Sequence, residues 1–154
     1  MFFVFLLGVL TASGESWKTS VRLDAANASE AAPWGRFESY ECPAGAVAPW
    51  KGERKIFFGN PLEFNFEGLE DGRDCMIKAT FLSDGPRELA LDTNGTELEA
   101  GLKLEKGQPH SSQWIIPSSR LYGGRLTLTI NAMSGPNAVI QTLEILTRDG
   151  RKLK

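Results

Sequence analysis

Residues 125–146, RLTLTINAMSGPNAVIQTLEIL, constrain the fold more than any other stretch. Leu126, Leu128 and Ile130 alternate with Thr127, Thr129 and Asn131. An extended chain sends successive side chains to opposite faces, so this spacing describes a half-buried antiparallel strand. A polar connection with Gly and Pro follows over residues 133–137, then a second apolar run. The stretch therefore reads as a hairpin-like closing unit. In its second run Val139, Leu143 and Ile145 share a face, but Gln141 falls in the same phase. That conflict predicts a bulge at Gln141, or an edge position for it.

The same pattern recurs upstream. Trp17, Thr19, Val21 and Leu23 alternate with Lys18, Ser20 and Arg22 to give a first strand. Residues 24–35 and 42–53 are rich in small residues and Pro and read as irregular, with a short strand over 36–41 between them. A brief apolar strand is expected over 55–58. Leu62, Phe64 and Phe66 then face one way, and Glu63, Asn65 and Glu67 the other. Residues 68–74 turn the chain into a strand over 75–82, and the segment Ser83-Asp84-Gly85-Pro86 turns it again. Leu89 and Leu91 point inward on the next strand. Asn94-Gly95 closes a hairpin onto Leu98, Leu102 and Leu104. Residues 107–112 read as a loop, 113–116 as a strand with Trp114 and Ile116 in the core, and Tyr122-Gly123-Gly124 as a turn. Strands about every ten residues, with turns between them and no sustained helical period, predict an all-β antiparallel sandwich.

At 154 residues the chain suits one domain. Residues 1–10, MFFVFLLGVL, are apolar but fall short of the roughly 20 residues that cross a bilayer. Small residues follow, with Ala12 and Gly14 placed for cleavage, so residues 1–14 are expected to be a signal peptide and 15–154 the domain. No Lys or Arg precedes the apolar run. Export places the protein in a secreted, periplasmic or extracellular setting, where Cys42 and Cys75 could form a disulfide. Cys75 also keeps phase with Ile77, Ala79 and Phe81, which suits a buried thiol instead. Both readings stand at this point.

A formal charge of −2 gives no footprint for nucleic acid or an anionic membrane. One histidine and two cysteines cannot make a zinc site of the usual kind. Catalytic constellations are thin as well. Glu38 with Glu41, and Asp71 with Asp74, are spaced as solvated charges rather than a glycosidase pair. His110 with Ser111 and Ser112 is an adjacency in sequence, not a triad. No catalytic residue is expected. Asn27 and Asn94 open glycosylation sequons, which matter only in a host that has the machinery.

The segments LEFNFEGLEDGRDCMIKATFLSD, RELALDTNG and GGRLTLTINAMSGPNAVIQTLEIL resemble the galactose-binding-like jelly rolls. The nearest members are malectin-like domains and carbohydrate-binding modules of secreted bacterial proteins. The resemblance implies a non-catalytic sugar-binding sandwich that works beside carbohydrate-active enzymes and needs no cofactor. A structural calcium is common in such folds. Asp24 and Asp149 flank the first and last strands here, although the opening strand lacks the acidic residue that often serves as a ligand. Sugar recognition pairs flat aromatic faces with a few well-placed polar groups. Trp34, Tyr40, Trp50 and Tyr122 are the aromatic candidates, and Asp92, Asn94, Asn131 and Asn137 the polar ones. For Asn94, turn chemistry beside Gly95 is a sufficient alternative. A structural or protein-interaction sandwich without a sugar ligand is the alternative function, with a small hydrolase or lyase behind it.

Overall fold

The computed structural model describes residues 16–25, 36–37, 40–50, 54–83, 85–107, 109–134 and 138–149, with backbone only for 36–37, 40–50 and 54–56. The proposed signal peptide, Trp34 and Asn137 lie outside the described residues. Among the described residues ten strands run antiparallel: β1 Trp17–Asp24, β2 Arg36–Phe37, β3 Tyr40–Trp50, β4 Arg54–Phe66, β5 Cys75–Phe81, β6 Arg87–Thr93, β7 Thr96–Leu104, β8 His110–Ile116, β9 Leu126–Ser134 and β10 Ala138–Arg148. A 3-10 turn, Ser118–Arg120, links β8 to β9.

Hydrogen bonding follows the path β7-β6-β9-β4-β10-β5-β8, with β1 against β10, β3 against β4, and β2 against β3. The path doubles over at β4. Leu62 to Phe66 pair with β9, whereas Phe57 to Gly59 pair with β10. Between these pairings lies a cis peptide, Asn60–Pro61. Pro61 has no N–H to give the ladder, and the Asn60 side chain instead accepts a bond from the Ala132 amide at 3.1 Å. The two ends of the path meet, since Trp114 Nε1 on β8 donates to Glu99 Oε2 on β7 at 2.7 Å. Two layers therefore face each other: β7-β6-β9 with the second half of β4, and β8-β5-β10 with the first half of β4 and β1.

Both inner faces empty into one core. Phe64, Leu89, Leu91, Leu128 and Ile130 come from one layer, and Phe57, Ile77, Phe81, Ile140, Leu143 and Ile145 from the other, all nearly inaccessible to water. Trp114 is half-buried and packs on this core, its ring edge-on to Phe81 at 6.3 Å. The expected irregularity in the last strand is present. Pairing between β10 and β5 shifts between Ile140 and Thr142, which leaves Gln141 as the extra residue. The bulge reverses the phase, so Ile140 joins Leu143 and Ile145 in the core while Val139 packs in a separate small cluster with Leu82 and Phe58.

Several expectations are corrected. Residues 42–50 of the expected irregular stretch are strand instead, because β3 runs from Tyr40 through Trp50. Its pairing with β4 shifts around Ala44 and tolerates the small residues and prolines. The short strand expected over 36–41 divides between β2 and the start of β3. The separate strands expected over 55–58 and from Leu62 are one strand, β4. His110, Ser111 and Ser112 belong to β8 rather than to a loop. Strands β9 and β10 are not a hairpin: β9 pairs with β4 and β6, and β10 with β1, β4 and β5. Of the two readings of Cys75, the free and fully buried thiol is the one present.

Burial pushes the Cys75 thiol above its ordinary pKa, against a smaller opposing effect of a hydrogen bond from Thr147. A thiol that ionises less readily folded than unfolded adds stability below the unfolded value and loses it as the pH rises through the folded one. In a Cys42→Ser variant, Cys75 should resist a thiol-specific reagent at pH 8 and react at once in denaturant. Fast reaction in the folded state would contradict its burial.

Candidate functional site

The bulge at Gln141 decides what the outer face of the β1-β10-β5-β8 layer displays. Beyond it, even-numbered residues of β10 point outward, and register carries that face across the neighbouring strands. One row runs Asp24, Thr142, Thr80, Ser111. The next runs Arg22, Glu144, Lys78, Gln113, and the third Thr19, Leu146, Met76, Ile115. A fourth position sets Trp17 opposite Arg148. Adjacent strands lie about 4.8 Å apart and same-face neighbours along a strand about 6.7 Å apart, so the rows form a lattice of groups at regular spacing.

The first two rows, Asp24 excepted, line a hollow of about 330 Å³, near the small end of the roughly 300–1,000 Å³ typical of ligand sites. Its walls include Arg22, Lys78, Thr80, Ser111, Gln113 and Glu144. Thr19 donates to Glu144 Oε1 at 2.5 Å, and the Thr80 and Ser111 hydroxyls lie 3.1 Å apart. Alternating donors and acceptors on a rigid sheet can meet a hydroxyl-rich ligand at several points with little reorganisation. The third row is apolar, with Ile115 half-exposed beside the nearly buried Leu146 and Met76. Trp17 closes the face. The Arg148 guanidinium sits 5.0 Å from its ring centre and is anchored by Asp74 at 3.1 Å.

The sequence-derived candidates do not converge on this hollow. Asn94 is occupied structurally: its Nδ2 donates to the Arg120 and Arg125 carbonyls at 2.6 and 3.3 Å, and its Oδ1 accepts from the Thr127 amide at 2.8 Å. Its φ of 48° suits the tight turn with Gly95. Asp92 and Asn131 lie in the opposite layer, on β6 and β9. Tyr122 is largely exposed at one end of the sandwich, bridged to Arg125. Tyr40 pairs with Phe66 and Trp50 with Arg54, at opposite ends of β3. At about 3.3 Å per residue, ten residues of strand separate their backbones.

Asp24 and Asp149 do not make a joint calcium site. Asp24 lies at one end of the β1-β10 ladder, and Asp149 lies just past the other end, bonded to Ser16. Calcium ligands must all come within about 2.3–2.6 Å of the ion. Among the described residues no group of three or more His, Cys, Asp or Glu side chains could hold a metal. His110 Nε2 lies 2.8 Å from Ser112 Oγ, two residues along the same strand. A nucleophile also needs its base held by a third group and donors for the developing charge; among the described residues no carboxylate bonds this imidazole.

No family model matches the sequence, and no relative was found among the curated proteins. The three-dimensional likeness is clear. The xylan-binding CBM22-1 domain of Paenibacillus barcinonensis Xyn10C superposes with a TM-score of 0.57 at 10% identity, covering 86% of this chain and 96% of that one. This chain therefore shares the antiparallel β-sandwich fold of that domain. The N-terminal CBM22-1-CBM22-2 tandem domain of the same Xyn10C gives a TM-score of 0.58 at 9% identity, over 91% of this chain and 48% of that one. The C-terminal domain of the sugar-binding protein EclA gives 0.50 at 14% identity, over 64% and 81%.

The signal that sequence reading missed was present in β5 and β10. Lys78, Thr80, Thr142 and Glu144 are the polar members of two alternating strands. They looked like ordinary solvent-facing residues because only register places them side by side.

Proposed function

We propose that this chain is a non-catalytic carbohydrate-binding module of an exported protein and that its sugar site is the hollow on the β1-β10-β5-β8 layer. The observation that carries this reading is the two-row lattice of hydroxyl, amide and charged groups around a cavity of ligand size. The fold supports it, because carbohydrate-binding modules share this sandwich. Hydroxyls of the sugar exchange bonds with Thr80, Ser111 and Gln113, and the apolar third row meets the C–H face. Trp34 and Trp50 remain candidates for stacking on the sugar. A carbohydrate-active enzyme is the expected companion.

The test is a glycan array with purified protein, followed by titration calorimetry on the best ligand. A Thr80→Val, Gln113→Ala double variant should lose about tenfold or more in affinity. An Asp92→Ala, Asn131→Ala variant on the opposite layer should bind as wild type. No binding to plant, algal or bacterial glycans at millimolar concentration would sink the reading. Loss through the second variant alone would move the site to the other layer.

A further inference from the structure

The middle row of the hollow places Glu144 between Arg22 on one side and Lys78 on the other. Directly opposed residues have Cβ atoms about 4.5–5.5 Å apart, so two cations and one anion share a small area. The carboxylate is already engaged by the Thr19 hydroxyl. Among the described residues, the ion pairs join Lys18 and Arg73 to Glu70, Arg125 to Glu67 and Arg148 to Asp74, and include neither Arg22 nor Lys78. Both side chains are exposed and both line the hollow. The other acid on this face, Asp24, heads the adjacent row outside the lining. A cross-strand cluster serving only the sheet would close its ion pairs on Glu144; this one leaves its excess positive charge turned to the cavity.

We infer that the hollow selects an anionic saccharide, one carrying a carboxylate or a sulfate, with Arg22 and Lys78 receiving the charged group. The inference rests on the carbohydrate-binding reading above. The planar guanidinium matches two oxygens of such a group at once, and the Lys78 ammonium adds a point charge from the facing strand. Thr80, Ser111 and Gln113 are left for the neutral hydroxyls. Glu144 stands between the two cations in the row and disfavours a ligand whose charge falls on its centre.

The test is calorimetric titration of the whole chain with three oligosaccharides of equal length: a neutral oligogalactoside, an oligogalacturonate and a sulfated oligogalactoside. An anionic member should bind about tenfold more tightly than the neutral one at low salt, and the advantage should shrink in about 0.3 M salt. The stronger of the two anionic ligands identifies the charged group. Arg22→Gln and Lys78→Gln should each reduce anionic binding about three- to tenfold and reduce neutral binding by a clearly smaller factor. Glu144→Gln, which keeps the acceptor for Thr19, should strengthen it. Equal affinity for neutral and anionic ligands, indifferent to Glu144→Gln, would overturn the inference while leaving the carbohydrate reading intact. Binding to none of the three would overturn the inference and count against the reading beneath it.

Discussion

Replacing Phe64 with alanine should destabilise the domain by about 3–5 kcal/mol, a large share of the roughly 5–15 kcal/mol expected for a domain. The side chain is fully buried at the middle of the core. Its ring meets Phe57 edge-on at 5.4 Å and lies nearly parallel to Phe66 at 6.3 Å. Phe57 belongs to the half of β4 that pairs with β10, and Phe64 to the half that pairs with β9. The contact therefore joins the two layers at the strand that connects them. Truncation removes buried apolar area and leaves a cavity that two tightly held strands cannot collapse into. Urea unfolding followed by tryptophan fluorescence measures the effect. A loss below about 1 kcal/mol would mean that the layers do not close on this residue.

Asn94→Ala should cost about 2–3 kcal/mol and leave any sugar affinity of the remaining folded protein unchanged. The Asn94 side chain ties the β6-β7 turn to the carbonyls of Arg120 and Arg125 and to the amide of Thr127. Its own amide also donates to Thr127 at 2.9 Å. Alanine removes three side-chain contacts and tolerates the left-handed backbone less well than asparagine does. Measuring stability and binding on the same variant separates this role from the ligand role that the sequence suggested. Full stability with lost binding would reverse the assignment.

Nearby, Gly124 shows how closely this end is assembled. Its φ is +74°, and a Cβ there would meet the Leu69 carbonyl oxygen at 2.5 Å. The Leu69 amide donates to the Gly124 carbonyl at 3.0 Å, which explains the close approach. In sequence Gly124 is only the second glycine of a turn. Its necessity comes from a loop 55 residues earlier in the chain.

What was legible in the sequence was local. Alternation in Leu62, Phe64 and Phe66, or in Leu126, Leu128 and Ile130, follows from the two-residue repeat of extended backbone, and each set is buried as that repeat requires. The Asn94-Gly95 turn and the irregularity at Gln141 were legible for the same reason, since each concerns neighbours along one strand. Strand β3 escaped because Pro, Gly and Ala weaken its own preference and its partner β4 supplies the ladder. The unity of β4 escaped because glycine, asparagine and proline at its middle look like a loop until both flanking strands are in place.

The segment 125–146 shows where the boundary falls. Its sequence alone determined that it contains two strands, which side chains of the first face inward, and that Gln141 interrupts the second. Only the tertiary structure decided that these strands belong to different ladders. Strand pairing is set by which apolar faces close over the common core, and no spacing within one segment encodes that. The candidate site has the same origin. Arg22, Lys78, Gln113 and Glu144 are scattered over more than 120 residues of chain, and only the registers of four strands bring them into one row.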